Sequence, residues 1–111
     1  MRRNKKEEQI KKIMLIQEEI QLLIQYVVQQ WERQKQKQGQ RNPFPKLAYT
    51  ETHAFECSEA YKEIKALSTE AIRDMPAYKR ETLLIQLEEW HQYMQSIVSA
   101  VFETIQKYSV S

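Results

Sequence analysis

Few residues in this 111-residue sequence are equipped for chemistry, and each set must be weighed against an ordinary structural role. Glu88 and His91 stand in the spacing Glu-x-x-His, which on a helix brings a carboxylate and an imidazole onto adjacent turns. Carboxylate-bridged metal bundles use two such motifs and two further glutamates. Only Glu88 and His91 supply one here; Glu18 or Glu19 could offer a further carboxylate, and the second motif would have to come from a symmetric dimer. The preferred reading makes His91 a boundary residue flanking an apolar stripe, with one ring nitrogen satisfied. No metal and no cofactor is expected.

Glu56, Glu59, Glu63, Glu70 and Asp74 fall within about 60° of one another on a single helical wheel. An acidic ridge of that kind is first a solvated face, and second a candidate surface for basic groups. Metal ligands would have to converge from several helices. The basic residues form two groups. Arg2, Arg3, Lys5 and Lys6, with Lys11 and Lys12, lie at one end of the first helix, and Arg33, Lys35, Lys37, Arg41 and Lys46 lie at or beyond the other. Clusters like these could neutralise phosphates and bind nucleic acid with a steep salt dependence. No helix-turn-helix, zinc finger or RNA-recognition strand accompanies them, and they stand about 45 Å apart along a helix. A nucleic-acid accessory role is therefore the alternative reading.

Catalysis has little to rest on. The sequence carries no glycine-rich phosphate loop and no nucleophile elbow, and no spacing pairs a cysteine with a histidine. The single cysteine, Cys57, excludes an internal disulfide framework and fits a reducing, cytoplasmic setting. It is expected on the buried face of its helix as inert packing. His53 shows no partner.

The elements that must position these groups are helices. One glycine and three prolines are too few for the frequent turns of a strand-rich fold. The first helix is expected over residues 5–38, ending at Gly39. Ile13, Ile16, Ile20, Leu23, Ile24, Val27 and Trp31 recur at alternating intervals of three and four, the spacing of a bundle seam. A connector over 39–50 contains Asn42-Pro43-Phe44-Pro45, read as a strap over one end of the bundle rather than as a docking peptide.

A second helix is expected over 51–74, capped by Thr50 or Thr52. Its buried face would comprise Cys57, Ala60, Tyr61, Ile64, Leu67, Ala71, Ile72 and Met75. The third, over 76–108 with Pro76 in its first turn, carries Leu83, Leu87, Trp90, Met94, Ile97, Val101, Ile105 and Tyr108, widened by Leu84, Val98 and Phe102. The whole chain is read as one all-α domain, an antiparallel up-down-up three-helix bundle. No stretch approaches the roughly 20 apolar residues of a membrane span.

Charge and surplus apolar residues point to function. Residues 1–46 hold eleven Lys/Arg against five acids, and 47–111 hold six against ten, so the formal +2 of the chain divides into +6 and −4. On the first helix Leu15, Leu22 and Tyr26 project at about 60°, 40° and 80° on the wheel, away from the main stripe. They lie among Glu18, Glu19, Gln25 and Gln29. A bundle helix needs one buried stripe, so a second predicts a further contact. The function expected is a non-enzymatic interaction module (an adaptor, chaperone-like binder, inhibitor or regulatory subunit). It would dock a protein partner, or a second copy as a homodimer, with Leu15, Leu22 and Tyr26 as anchors.

Overall fold

The computed structural model describes residues 5–36 and 46–109, with side chains over 5–34 and 48–107. The expected strap at Asn42–Pro45, the cap at Gly39 and the Tyr108 side chain lie outside the described residues. Within them the chain is all-α. Five helices follow in order: α1 (Lys5–Gln36), α2 (Lys46–Glu56), α3 (Glu59–Lys65), α4 (Thr69–Asp74) and α5 (Ala77–Ser109). With 32 and 33 residues, α1 and α5 are each about 50 Å long. The radius of gyration is 17.3 Å, against about 13 Å for a compact chain of this length. The molecule is a rod.

The two long stripes pack as their spacing predicts. Ile10, Ile13, Ile16, Ile20, Ile24 and Val27 of α1 are buried together with Leu83, Leu87, Met94, Ile97 and Val101 of α5. Leu23, Trp31, Trp90 and Ile105 border this core. Each fully buried Ile, Leu or Met contributes about 1.5–3 kcal/mol, so the α1–α5 seam is the main stabilising contact. Arg80 meets Gln9, Glu88 meets Lys12 and His91 meets Glu19. Partner numbers rise together, so α1 and α5 run in the same direction.

The middle of the chain departs from expectation. The second helix read over 51–74 is three short helices, α2 to α4. The first break is made by Ser58, whose backbone is extended (φ −65°, ψ 144°) and whose Oγ accepts from the Tyr61 amide. The same hydroxyl donates to the Phe55 carbonyl at 2.7 Å. At the second break Ser68 (φ −78°, ψ 162°) accepts from the Ala71 amide through its Oγ, at 3.0 Å. Both serines are N-caps that satisfy donors a helix start leaves unpaired.

The start of α2 also moves, from 51 to Lys46. Proline restricts the residue before it rather than the one after, so Lys46–Glu51 is free to join the helix. Thr52 is consequently no cap but a fully buried residue within α2. Down this leg, Tyr49 stacks on Trp31, the Ile64 carbonyl accepts from Gln17, Thr69 approaches Met14 and Arg73 pairs with Glu7. Partner numbers now fall as the chain advances, so the middle leg runs opposite to α1.

Met75 is extended (ψ 147°) ahead of Pro76, as the residue before a proline prefers. The Pro76 carbonyl then accepts from the Lys79 and Arg80 amides. Pro76 thus precedes α5 instead of lying in its first turn. Arg80 locks this corner. It is 6% exposed; its Nε donates to Gln9 Oε1 at 2.9 Å, and its Nη1 donates to the Arg73 and Met75 carbonyls. A buried guanidinium is costly unless its donors are used. Here it sits on the negative, carbonyl end of α4, where a cation is favoured.

Candidate functional site

The outer side of α1 carries the residues expected to dock a partner. Leu15 and Leu22 are 55% and 58% exposed, high for leucines on a helix whose other stripe is already buried. Glu18, Gln25 and Gln29 are exposed around them. Tyr26 differs, being half-buried and packed against the chain's own core. The Glu19–His91 contact sets an offset of 72 between α1 and α5 (91 − 19). That register brings Val98 level with Tyr26 and Phe102 level with Gln30. Val98 and Phe102 share the flank of α5 that bears His91, at about 80°, 120° and 100° on the wheel. Val98 is half-buried, whereas Phe102 is 49% exposed. Sequence periodicity places Phe102 at the edge of the core stripe of its helix; by this register it lies beyond Leu22, toward the end of α1.

The Glu-x-x-His pair is engaged across the same seam. His91 Nε2 lies 3.0 Å from Glu19 Oε2, and Glu88 Oε1 lies 3.4 Å from Lys12 Nζ. His91 is therefore a boundary histidine with one ring nitrogen partnered. Among the described residues no three His, Cys, Asp or Glu side chains converge as a metal would require. The two cross-helix pairs are solvent-facing and individually weak, within about 1 kcal/mol.

The acidic ridge does not survive as one helical face. Glu56 belongs to α2, Glu59 and Glu63 to α3, and Glu70 and Asp74 to α4, because the serine caps reorient the chain between them. Of the basic residues, Lys5, Lys6 and Arg33 are exposed on α1. Arg2, Arg3, Lys37 and Arg41 lie outside the described residues, as do the side chains of Lys35 and Lys46.

Cys57 also departs from the expected packing. It is exposed at the α2–α3 break, not packed inside a continuous helix. Its Sγ lies 3.7 Å from Nε2 of His53, so His53 has a partner after all. The imidazole lies 6.0 Å from the Tyr49 ring, which stacks at 5.0 Å on Trp31. Positions 49, 53 and 57 are successive i, i+4 neighbours. Of these, only Tyr49 falls outside the helix expected over 51–74; the His53–Cys57 spacing lies within it.

A second aromatic cluster joins the middle leg to α5. Phe55 contacts Tyr61 at 4.8 Å, Trp90 at 5.3 Å and Tyr93 at 6.0 Å between ring centroids. Burial, followed by the nearby Glu56 charge, pushes the Tyr61 phenol above its ordinary range, with a Gln21 hydrogen bond pulling the other way. Partial burial and then the Glu51 carboxylate, by charge and hydrogen bonding, raise Tyr93 likewise. Glu51, Ala54, Phe55, Trp90 and Tyr93 line an open groove between α2 and α5. Nearer the start of α5, on the same side of the helix, a second groove has Ile64, Leu67, Met75 and Leu83 among its walls. The cavity bounded by Gln17, Gln21, Tyr61 and Leu87 is about 20 Å³, room for about one water molecule.

No helix among the described residues is long and apolar enough to cross a membrane. No protein-family model, no curated protein and no solved structure matches this chain.

Proposed function

We propose that this chain is a non-enzymatic protein–protein interaction module, an adaptor or regulatory binder, which docks a partner helix on the outer face of α1. The observation that carries this reading is the exposure of Leu15 and Leu22 on a helix whose other stripe already fills the core. Glu18, Gln25 and Gln29 supply a polar rim around the two leucines. Apolar anchors with a hydrogen-bonding rim are the usual anatomy of a docking face. Tyr26, half-buried in its own core, stiffens the strip instead of acting as a free anchor.

The scaffold under this reading is an up-down-up bundle whose down leg is segmented. A second copy is one candidate partner, since two parallel-edged apolar strips can face each other across a two-fold axis. A cytoplasmic setting belongs to the same reading and rests on the unpaired thiol of Cys57.

The test compares wild type with Leu22→Lys by light scattering across a wide concentration range and by co-purification from the native source. Loss of self-association or of specific partners in the variant supports the proposal. Unchanged size together with identical partners refutes it. Association through burial tolerates salt, so binding that weakens steeply as salt rises would instead favour phosphate contacts by the basic ends of α1.

A further inference from the structure

We propose that the groove between α2 and α5, on a different face from Leu15 and Leu22, receives an arginine side chain presented by a protein partner. The groove is built from two helices: α2 contributes Glu51, Ala54 and Phe55, and α5 contributes Trp90 and Tyr93. Phe55 and Trp90 meet edge-to-face at 79°, and Phe55 and Tyr93 are tilted by 53°. Rings inclined in this way do not close into one flat stack, so aromatic surface remains along the groove. Tyr93 is 41% exposed there. Ala54, with its single methyl, leaves the mouth open.

The charge on this surface selects the occupant. Among the lining residues Glu51 is an acid and none is a base. Aromatic faces carry the negative end of a quadrupole and attract cations. An apolar group seated in the groove would strip water from the Glu51 carboxylate and return nothing for it. Glu51 and Tyr93 line the same groove, so the exposed carboxylate stands beside the aromatic rings. A guanidinium suits both features at once. It is planar and weakly hydrated, lies flat on a ring and turns its N–H groups toward a carboxylate. An ammonium is a compact, strongly hydrated point charge and uses the rings less well.

The experiment titrates the full-length, isotopically labelled protein with N-acetyl-arginine N-methylamide, with the citrulline and lysine counterparts in parallel. The two tryptophan indole N–H resonances are followed and assigned with Trp31→Phe. The expected result is a saturable shift of Trp90 that leaves Trp31 still. Arginine should bind roughly 10-fold more tightly than citrulline, equivalent to about 1.4 kcal/mol. Glu51→Gln should reduce arginine to the citrulline level while circular dichroism shows the same helix content, since Glu51 is exposed. The proposal is overturned if Trp90 does not respond, if citrulline or lysine binds as well as arginine, or if Glu51→Gln binds undiminished. None of these outcomes depends on the outer face of α1, so the two proposals fail separately.

Discussion

Replacing Arg80 by Met tests whether the corner between α4 and α5 is held by the guanidinium or merely filled by its stem. Methionine keeps most of the buried apolar length and removes the charged donors. Three hydrogen bonds go with them: to Gln9 Oε1 at 2.9 Å, to the Arg73 carbonyl at 3.3 Å and to the Met75 carbonyl. Hydrogen bonds from charged donors contribute about 1.5–3 kcal/mol each in net terms. The sum is reduced because the variant no longer desolvates a cation at a site only 6% exposed. Taking about half of the lower sum gives a loss of about 2–3 kcal/mol. For a chain of 111 residues, an unfolding entropy of about 2.1 cal/mol/K per residue turns this into a fall in Tm of about 10 °C.

The assay is thermal and urea unfolding followed by circular dichroism, with amide exchange read at α4. The slope against urea should be unchanged, and the Ile72 and Met75 amides should lose protection first. Arg80→Lys, able to reach one carbonyl but not to span three acceptors, should fall between. A Met variant as stable as wild type would mean that desolvation cancels the three bonds, and the clamp would then be no source of stability.

Other outcomes follow from single side chains. Thr52 is fully buried, and its Oγ1 has no hydrogen-bond partner among the described residues, so Thr52→Val should raise stability by about 1 kcal/mol in the same unfolding assays. Ser58→Ala and Ser68→Ala each remove an N-cap bond and should each cost about 1 kcal/mol, with exchange accelerated in α3 and α4 respectively. Tyr61 has its pKa raised in the folded state, so its contribution is complete below the unfolded value of 10.0 and declines as pH rises beyond it. Wild type should therefore lose stability above about pH 10 more steeply than Tyr61→Phe, a difference readable from urea midpoints between pH 8 and 11.

The long helices were legible because seams at three–four spacing leave the same signature in sequence and in space. Ile13, Ile20, Leu87 and Met94 needed no tertiary information to be assigned to the core. The segmented leg was not legible by pattern alone. Serine is only mildly unfavourable inside a helix and strongly favoured at its start, so Ser58 and Ser68 fit either reading until the chain has to bend. Arg80 was hidden for another reason. Its acceptors are largely backbone carbonyls at a corner, and these have no sequence letter. On the candidate docking face the helical wheel separates Leu15 and Leu22 from the core stripe, and both are exposed. Tyr26 escapes the wheel pattern because a long side chain at the stripe's margin can lean back onto the core.

The shared direction of α1 and α5 has an electrical consequence. Their 32 and 33 residues point one way, while the return leg has only 11, 7 and 6 helical residues. The difference leaves about 41 helical residues uncompensated, and at about 3.5 D per peptide the rod keeps a backbone moment on the order of 140 D. Its positive pole lies at the end where α1 and α5 begin. Glu7 and Glu8 in the first turn of α1 and Lys107 in the last turn of α5 are placed to oppose that moment. A charged body approaching from solution therefore meets a molecule with a head and a tail, and turns it before touching it.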